Sequence, residues 1–155
     1  MKPSAIEFQF IRCDDGAVSG FDLGDIVVQG RESTCSSRGH SPDQSMMIYI
    51  ALSELLGGVL RLCASKSKGS WTFVGADSSF GLVFILDRNK KITVMGAKKV
   101  IAVTDPEELL TSLAAATAAF LDASKNALPT SDPVFGDLAM SLRELAIALR
   151  NKVEK

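Results

Sequence analysis

Four apolar runs crowd the second half of the chain: Trp71–Gly75 (WTFVG), Phe80–Asp87 (FGLVFILD), Lys91–Met95 (KITVM) and Val100–Val103 (VIAV). Only ADSS, RNK and GAKK separate them. Separators so short tie neighbouring strands into antiparallel hairpins, so this region reads as a four-strand meander. The second run is apolar at nearly every position and is expected to be central in the sheet. A chain with such a block must find helices to cover it, and three helical segments are legible.

The most apolar of these is Ser41–Cys63 (SPDQSMMIYIALSELLGGVLRLC). Ser41 reads as the N-cap, Pro42 as the first helical residue and Gln44 as the partner in a capping box. Ile48, Leu52, Leu55, Leu56, Val59 and Cys63 recur at helical spacing, and Met46, Met47 and Ile50 widen the stripe, which marks a helix buried on several sides. Gly57 and Gly58 point to a close neighbour or a bend, because each glycine costs about 1 kcal/mol against alanine in a helix. Two further helices are expected at the end of the chain. Asp105-Pro106 and Asp132-Pro133 open them, and Leu109, Leu113, Phe120 and Leu121, then Val134, Leu138, Leu142, Leu145 and Leu149, form their inner stripes.

Ahead of the central helix, Ala5–Arg12 alternates as a half-buried strand and Asp25–Gly30 reads as a second one. Residues 16–24 and Glu32–His40 read as loops. Strands grouped apart from helices argue for α+β and not alternating α/β. The expected architecture is a single α+β domain over residues 1–155. It has an antiparallel sheet of about six strands, including the meander, packed on a central helix and flanked by the two C-terminal helices.

Charge narrows the partners. With 17 basic and 18 acidic residues the net charge is −1, and no global bias points to nucleic acid. The distribution is uneven: residues 46–104 carry eight basic and three acidic groups, and the excess sits mostly in Arg88, Lys90, Lys91, Lys98 and Lys99. These read either as solvated strand ends or as an electrostatic contact patch. Cys13, Cys35 and Cys63 are odd in number and widely spaced, which excludes a disulfide framework and suits a cytoplasmic home. The N-terminus lacks the apolar core of a signal peptide, and no run approaches the ~20 residues of a membrane span.

No catalytic motif stands out. His40 is the only histidine, so a zinc site is not expected and no cofactor is implied. There is no P-loop or dinucleotide fingerprint, and no G-x-S-x-G elbow. Cys35 or Ser37 with His40 as base is the one arrangement that could supply a hydrolase or transferase. The alternative is a recognition edge: Arg31, Glu32, Arg38, His40 and Asp43 in the polar run, with Asp77 at a hairpin tip. Tyr49 reads as core packing or as an anchor at a partner interface, where aromatics are enriched.

The stretch Ser36–Ile48 (SSRGHSPDQSMMI), followed by ALSELL and WTFVGADSSFGLVF, resembles small bacterial immunity proteins of polymorphic or contact-dependent toxin systems. The resemblance covers roughly residues 30–87. It implies a protein that binds a cognate toxin and occludes it, with no cofactor and no catalytic residue. A third reading is an oligomerising structural module, with homodimerisation through surplus apolar helix surface.

Overall fold

Alternation at the start of the chain sets the first sheet. Ile6, Phe8 and Phe10 turn inward and Glu7 and Gln9 outward, forming strand β1 (Ile6–Arg12). It pairs antiparallel with β2 (Leu23–Gly30), with Phe8 opposite Val28 and Phe10 opposite Ile26. The structure, a computed structural model, describes residues 5–13, 16–41, 43–122 and 126–153. The far side of β2 takes two short strands, β3 (Thr34–Ser36) and β4 (Met46–Met47), both antiparallel to it. Leu23 and Gly24 thus belong to a strand and Thr34–Ser36 is not loop, contrary to the sequence reading. Such short pairings carry little periodicity of their own and are held by β2.

The central helix is α1 (Ile48–Cys63). It starts later than the Ser41/Gln44 capping box implies, and Pro42 lies outside the described residues. The physical reason is competition. Met46 and Met47 are drawn into pairing with Leu23 and Gly24. Asp43 instead turns the chain locally, its carboxylate accepting from the Ser45 amide at 2.9 Å and the Ser45 hydroxyl at 3.1 Å. Met47, at the N-cap, makes no side-chain cap bond. The backbone of other segments serves the entry: Met47 N–H donates to Ala76 O and Ile48 N–H to Asp22 O, both at 3.0 Å. Amides at a helix start need partners from somewhere, and here tertiary structure supplies them.

The meander forms the second sheet, in the order β5 (Gly69–Val74), β6 (Gly81–Leu86), β7 (Ile92–Gly96), β8 (Lys99–Thr104). Among the described residues the antiparallel strands therefore number eight, in two four-stranded sheets. A bulge where β7 meets β8 turns both Ile101 and Ala102 inward. The bulge also joins the sheets, since Ile101 O accepts the amides of Glu32 (3.0 Å) and Ser33 (3.4 Å) from the β2–β3 turn.

Two helices close the chain, as expected. Asp105 caps α2 (Pro106–Asp122), its carboxylate accepting from Glu108 N–H at 2.8 Å. The last helix, α3 (Phe135–Val153), opens two residues after Pro133. Asp132 is occupied elsewhere, accepting from Val134 N–H and from Gly20 N–H, each at 2.9 Å. It pins the β1–β2 connection to the start of α3. One core draws on both sheets and all three helices, with Tyr49, Phe73 and Phe84 among its largest fully buried side chains. Gly58 marks a close approach: a Cβ there would lie 2.1–2.3 Å from the Trp71 ring.

Candidate functional site

The polar run ahead of α1 splits into two groups. Arg31 and Glu32 sit in the β2–β3 turn against β8. Arg31 lines a cavity of about 870 Å³ between β1 and α2, in the company of Glu7, Asp105, Glu107 and Glu108. Arg38 and His40 lie elsewhere, in a groove of about 520 Å³ that also takes in Gln44, Ser79, Phe80 and Lys98. Asp43 and Asp77 are exposed at the same end. The Ser78 hydroxyl donates to Gln44 O at 2.6 Å, which ties the Asp77 hairpin tip to this run. Six sequence-derived residues are therefore at the surface, in two separate places.

Tyr49 is not one of them. It is 0% exposed, packs on Phe120 with ring centroids 5.4 Å apart, and donates its hydroxyl to Asn126 O at 2.5 Å. Burial pushes its phenol up to about 12. Of the two readings of this residue, core packing is the one realised, and the interface anchor is corrected.

The nucleophile–base pairing does not form. The Ser37 hydroxyl is fully buried and donates to Asp25 at 2.7 Å, while accepting from Ile26 N–H at 3.0 Å. His40 donates from Nε2 to Ser36 O at 2.7 Å and hydrogen-bonds neither Ser37 nor Cys35, although Cys35 lines the same groove. Burial raises the Cys35 thiol, so it holds its proton, and its Sγ packs toward Gly96. Asp25, which a triad would use to orient its base, is engaged instead by Ser37 and by the Cys13 thiol at 3.0 Å. Burial, and then that contact, push Cys13 up to about 11. A nucleophile needs the opposite shift. Among the described residues, no group of three or more His, Cys, Asp and Glu side chains could hold a metal ion. No helix among them is long and apolar enough to cross a membrane.

A broader surface comes from the meander, and the residue-by-residue reading missed it. The register aligns two rows across the outer face: Thr72, Val83, Met95 and Val100, then Ser70, Ile85, Thr93 and Val103. Among the described residues no helix covers them. Val103 and Val74 are both 53% exposed, and Ile85 and Val100 are also exposed. β6 is an inner strand of its sheet, as expected, yet only one of its faces is buried. Cations gather at both ends of this face. Lys66, Lys68, Arg88, Lys90 and Lys91 stand at one end and Lys98 and Lys99 at the other, all exposed. Seven of the eight basic residues in 46–104 therefore border one sheet; Arg61 is the exception. The signal in the sequence was the lysine-bearing turns. The missing information was which strand face the helices leave uncovered.

Asp77 and Lys90 each have positive φ, and one turn has two such residues in succession. Ala97 and Lys98 connect β7 to β8 with φ of 51° and 65°. Two consecutive positive φ values make the turn normally occupied by Asn-Gly. Neither alanine nor lysine favours it.

In comparison with known proteins, no family model matches the chain, and neither a curated protein nor a solved structure gives a match.

Proposed function

We propose that this protein is a non-catalytic binding domain that neutralises a partner protein by occlusion in the cytoplasm, as small bacterial immunity proteins do. The observation that carries the reading is the outer face of the β5–β8 sheet. It is an uncovered apolar surface with cations at both ends, and exposed apolar patches of this kind mark interaction sites. The matching partner surface has an apolar centre and an acidic border, because charge complementarity sets orientation and encounter rate. The strained Ala97-Lys98 turn supports it. Strain retained at the surface points to a functional demand on the side chain it presents, here Lys98 beside Arg38 and His40.

The test is co-expression with the product of the adjoining gene. That product should be toxic alone, be silenced by this protein and co-purify with it. Ile85→Asp combined with Lys91→Glu should abolish both rescue and co-purification while leaving the circular dichroism spectrum unchanged. A harmless neighbour, or rescue that survives the double substitution, overturns the reading. So would a homodimer in light scattering that the same substitutions dissociate, since the face would then belong to a second copy.

A further inference from the structure

Sheet edges are sites of unwanted pairing, and proteins cover or blunt them. Four edges here find partners within the molecule. On β1, Ile6 O accepts from the Ser112 hydroxyl of α2 at 2.8 Å, and Ala5 N–H donates to Glu108 of the same helix at 2.5 Å. On β8, Ile101 O is taken by Glu32 and Ser33, and Val100 O by the Ser33 hydroxyl at 2.7 Å. At β4, Met47 N–H reaches Ala76 O. At β3, His40 Nε2 donates to Ser36 O at 2.7 Å. The fifth edge is β5.

The pattern of β5 is set by its hairpin. Gly75 N–H donates to Phe80 O at 2.8 Å, so bonded pairs alternate from there: Phe73 with Leu82, Trp71 with Phe84. The N–H and C=O groups of Ser70, Thr72 and Val74 therefore point away from β6. No backbone or side-chain partner meets them among the described residues. The strand, GSWTFV, has no proline, no charge and no bulge to discourage pairing.

Beside this edge runs a groove of about 590 Å³, floored by α1 and walled on the far side by α3. Its rim carries Glu54, Asp137 and Glu144 against the single cation Arg61. None of the three carboxylates has an ion-pair partner among the described residues. Val74 and Met140, 53% and 62% exposed, add apolar contact at the same place. The floor is firm, because Ser53 and Ser141 join α1 to α3 through hydroxyls 3.1 Å apart.

We infer that the free edge of β5 accepts an extended basic peptide segment by strand addition, with its backbone bonded to Ser70, Thr72 and Val74 and its lysine or arginine side chains facing Glu54, Asp137 and Glu144. Backbone pairing supplies the affinity, and the side chains on the groove side supply the selection. The site shares β5 with the outer sheet face but uses the backbone edge of the strand, and the inference does not depend on the occlusion reading.

The probe is a short acetylated and amidated peptide alternating lysine and valine, with a glutamate–valine peptide as control. Trp71 is the only tryptophan in the chain and lines the groove, so its fluorescence reports binding. The basic peptide should saturate the signal and slow amide exchange at Ser70, Thr72 and Val74 by at least about tenfold. The acidic peptide should do neither. Thr72→Pro removes one outward donor without touching the β5–β6 ladder, and proline is tolerated on an edge. It should weaken binding at least about tenfold. Asp137→Lys with Glu144→Lys, both on exposed positions of α3, should weaken it by a similar factor and flatten its salt dependence. Equal binding of the two peptides, protection away from β5, or absence of saturation at millimolar peptide overturns the inference. So does self-association that Thr72→Pro abolishes, because the edge would then pair with a second copy.

Discussion

At the residue scale, buried polar groups set the sharpest expectations. Tyr49 is the only tyrosine, so tyrosinate absorbance reads it alone. Its phenol sits at about 12 in the folded protein, against an ordinary 10.0, with burial as the main cause. The folded state thus holds this proton more tightly than the unfolded chain. The stability linked to it is complete below about pH 10 and disappears as pH rises through about 12. Cys13 acts in the same direction between 9.0 and about 11. Alkaline titration should therefore show tyrosinate appearing together with loss of near-ultraviolet circular dichroism, not ahead of it. Asp22 gives a second expectation. Its carboxylate binds Arg12 Nε and Ser19 N–H, each at 2.9 Å, and both ionic side chains are buried (4% and 7% exposed). Asp22→Ala takes the carboxylate away from a buried guanidinium, which keeps its bond to the neutral Gly16 O, and should cost about 3 kcal/mol in urea unfolding.

At the scale of elements, the two adjacent glycines of α1 should behave oppositely. A Cβ on Gly57 meets only Arg61 Nη1, at 3.4 Å, the mobile end of a long side chain. Gly57→Ala should stabilise by up to about 1 kcal/mol through helix propensity. Gly58→Ala drives a methyl into the Trp71 ring and should destabilise by about 1–3 kcal/mol, with a shifted tryptophan emission as a second readout. The turn between β7 and β8 offers a complementary case. Lys98→Gly removes the penalty of its positive φ and should raise the melting temperature by a gain of about 1 kcal/mol. If Lys98 serves partner recognition, the same change should weaken co-purification while strengthening the fold, a combination that a purely structural residue would not give.

At the scale of the whole molecule, the asymmetry of the second sheet is the main feature. Its inner face is in the core, with Phe73, Leu82, Phe84, Ile92 and Val94 essentially inaccessible. Its outer face is uncovered. Polar substitution there should therefore be nearly silent for folding. Val103→Thr with Ile85→Thr should change unfolding free energy by less than about 0.5 kcal/mol for each site. The same double substitution should raise solubility measured by ammonium sulfate precipitation. A large loss of stability would mean that the face is packed against something in the native state.

Local chemistry determined much of this protein. The α+β class, the meander, the central helix and the Asp105 cap of α2 were legible, because alternation, helical spacing and Asp-Pro openings act over a few residues. The surface positions of Arg38, His40, Asp43 and Asp77 were legible too, since charged and turn-forming residues rarely lie inside. What tertiary structure alone decided were contests between local preferences and distant partners. Met46 and Met47 join a strand and not the helix because β2 offers hydrogen bonds that the capping box cannot match. Ser37 is a buried partner of Asp25 and not a candidate nucleophile beside His40. Tyr49 is core because Phe120 and Asn126, more than 70 residues away in sequence, close over it. The open face and the open edge of the second sheet were equally hidden. A strand's own residues say which side is apolar, but only the placement of the helices says which side stays uncovered.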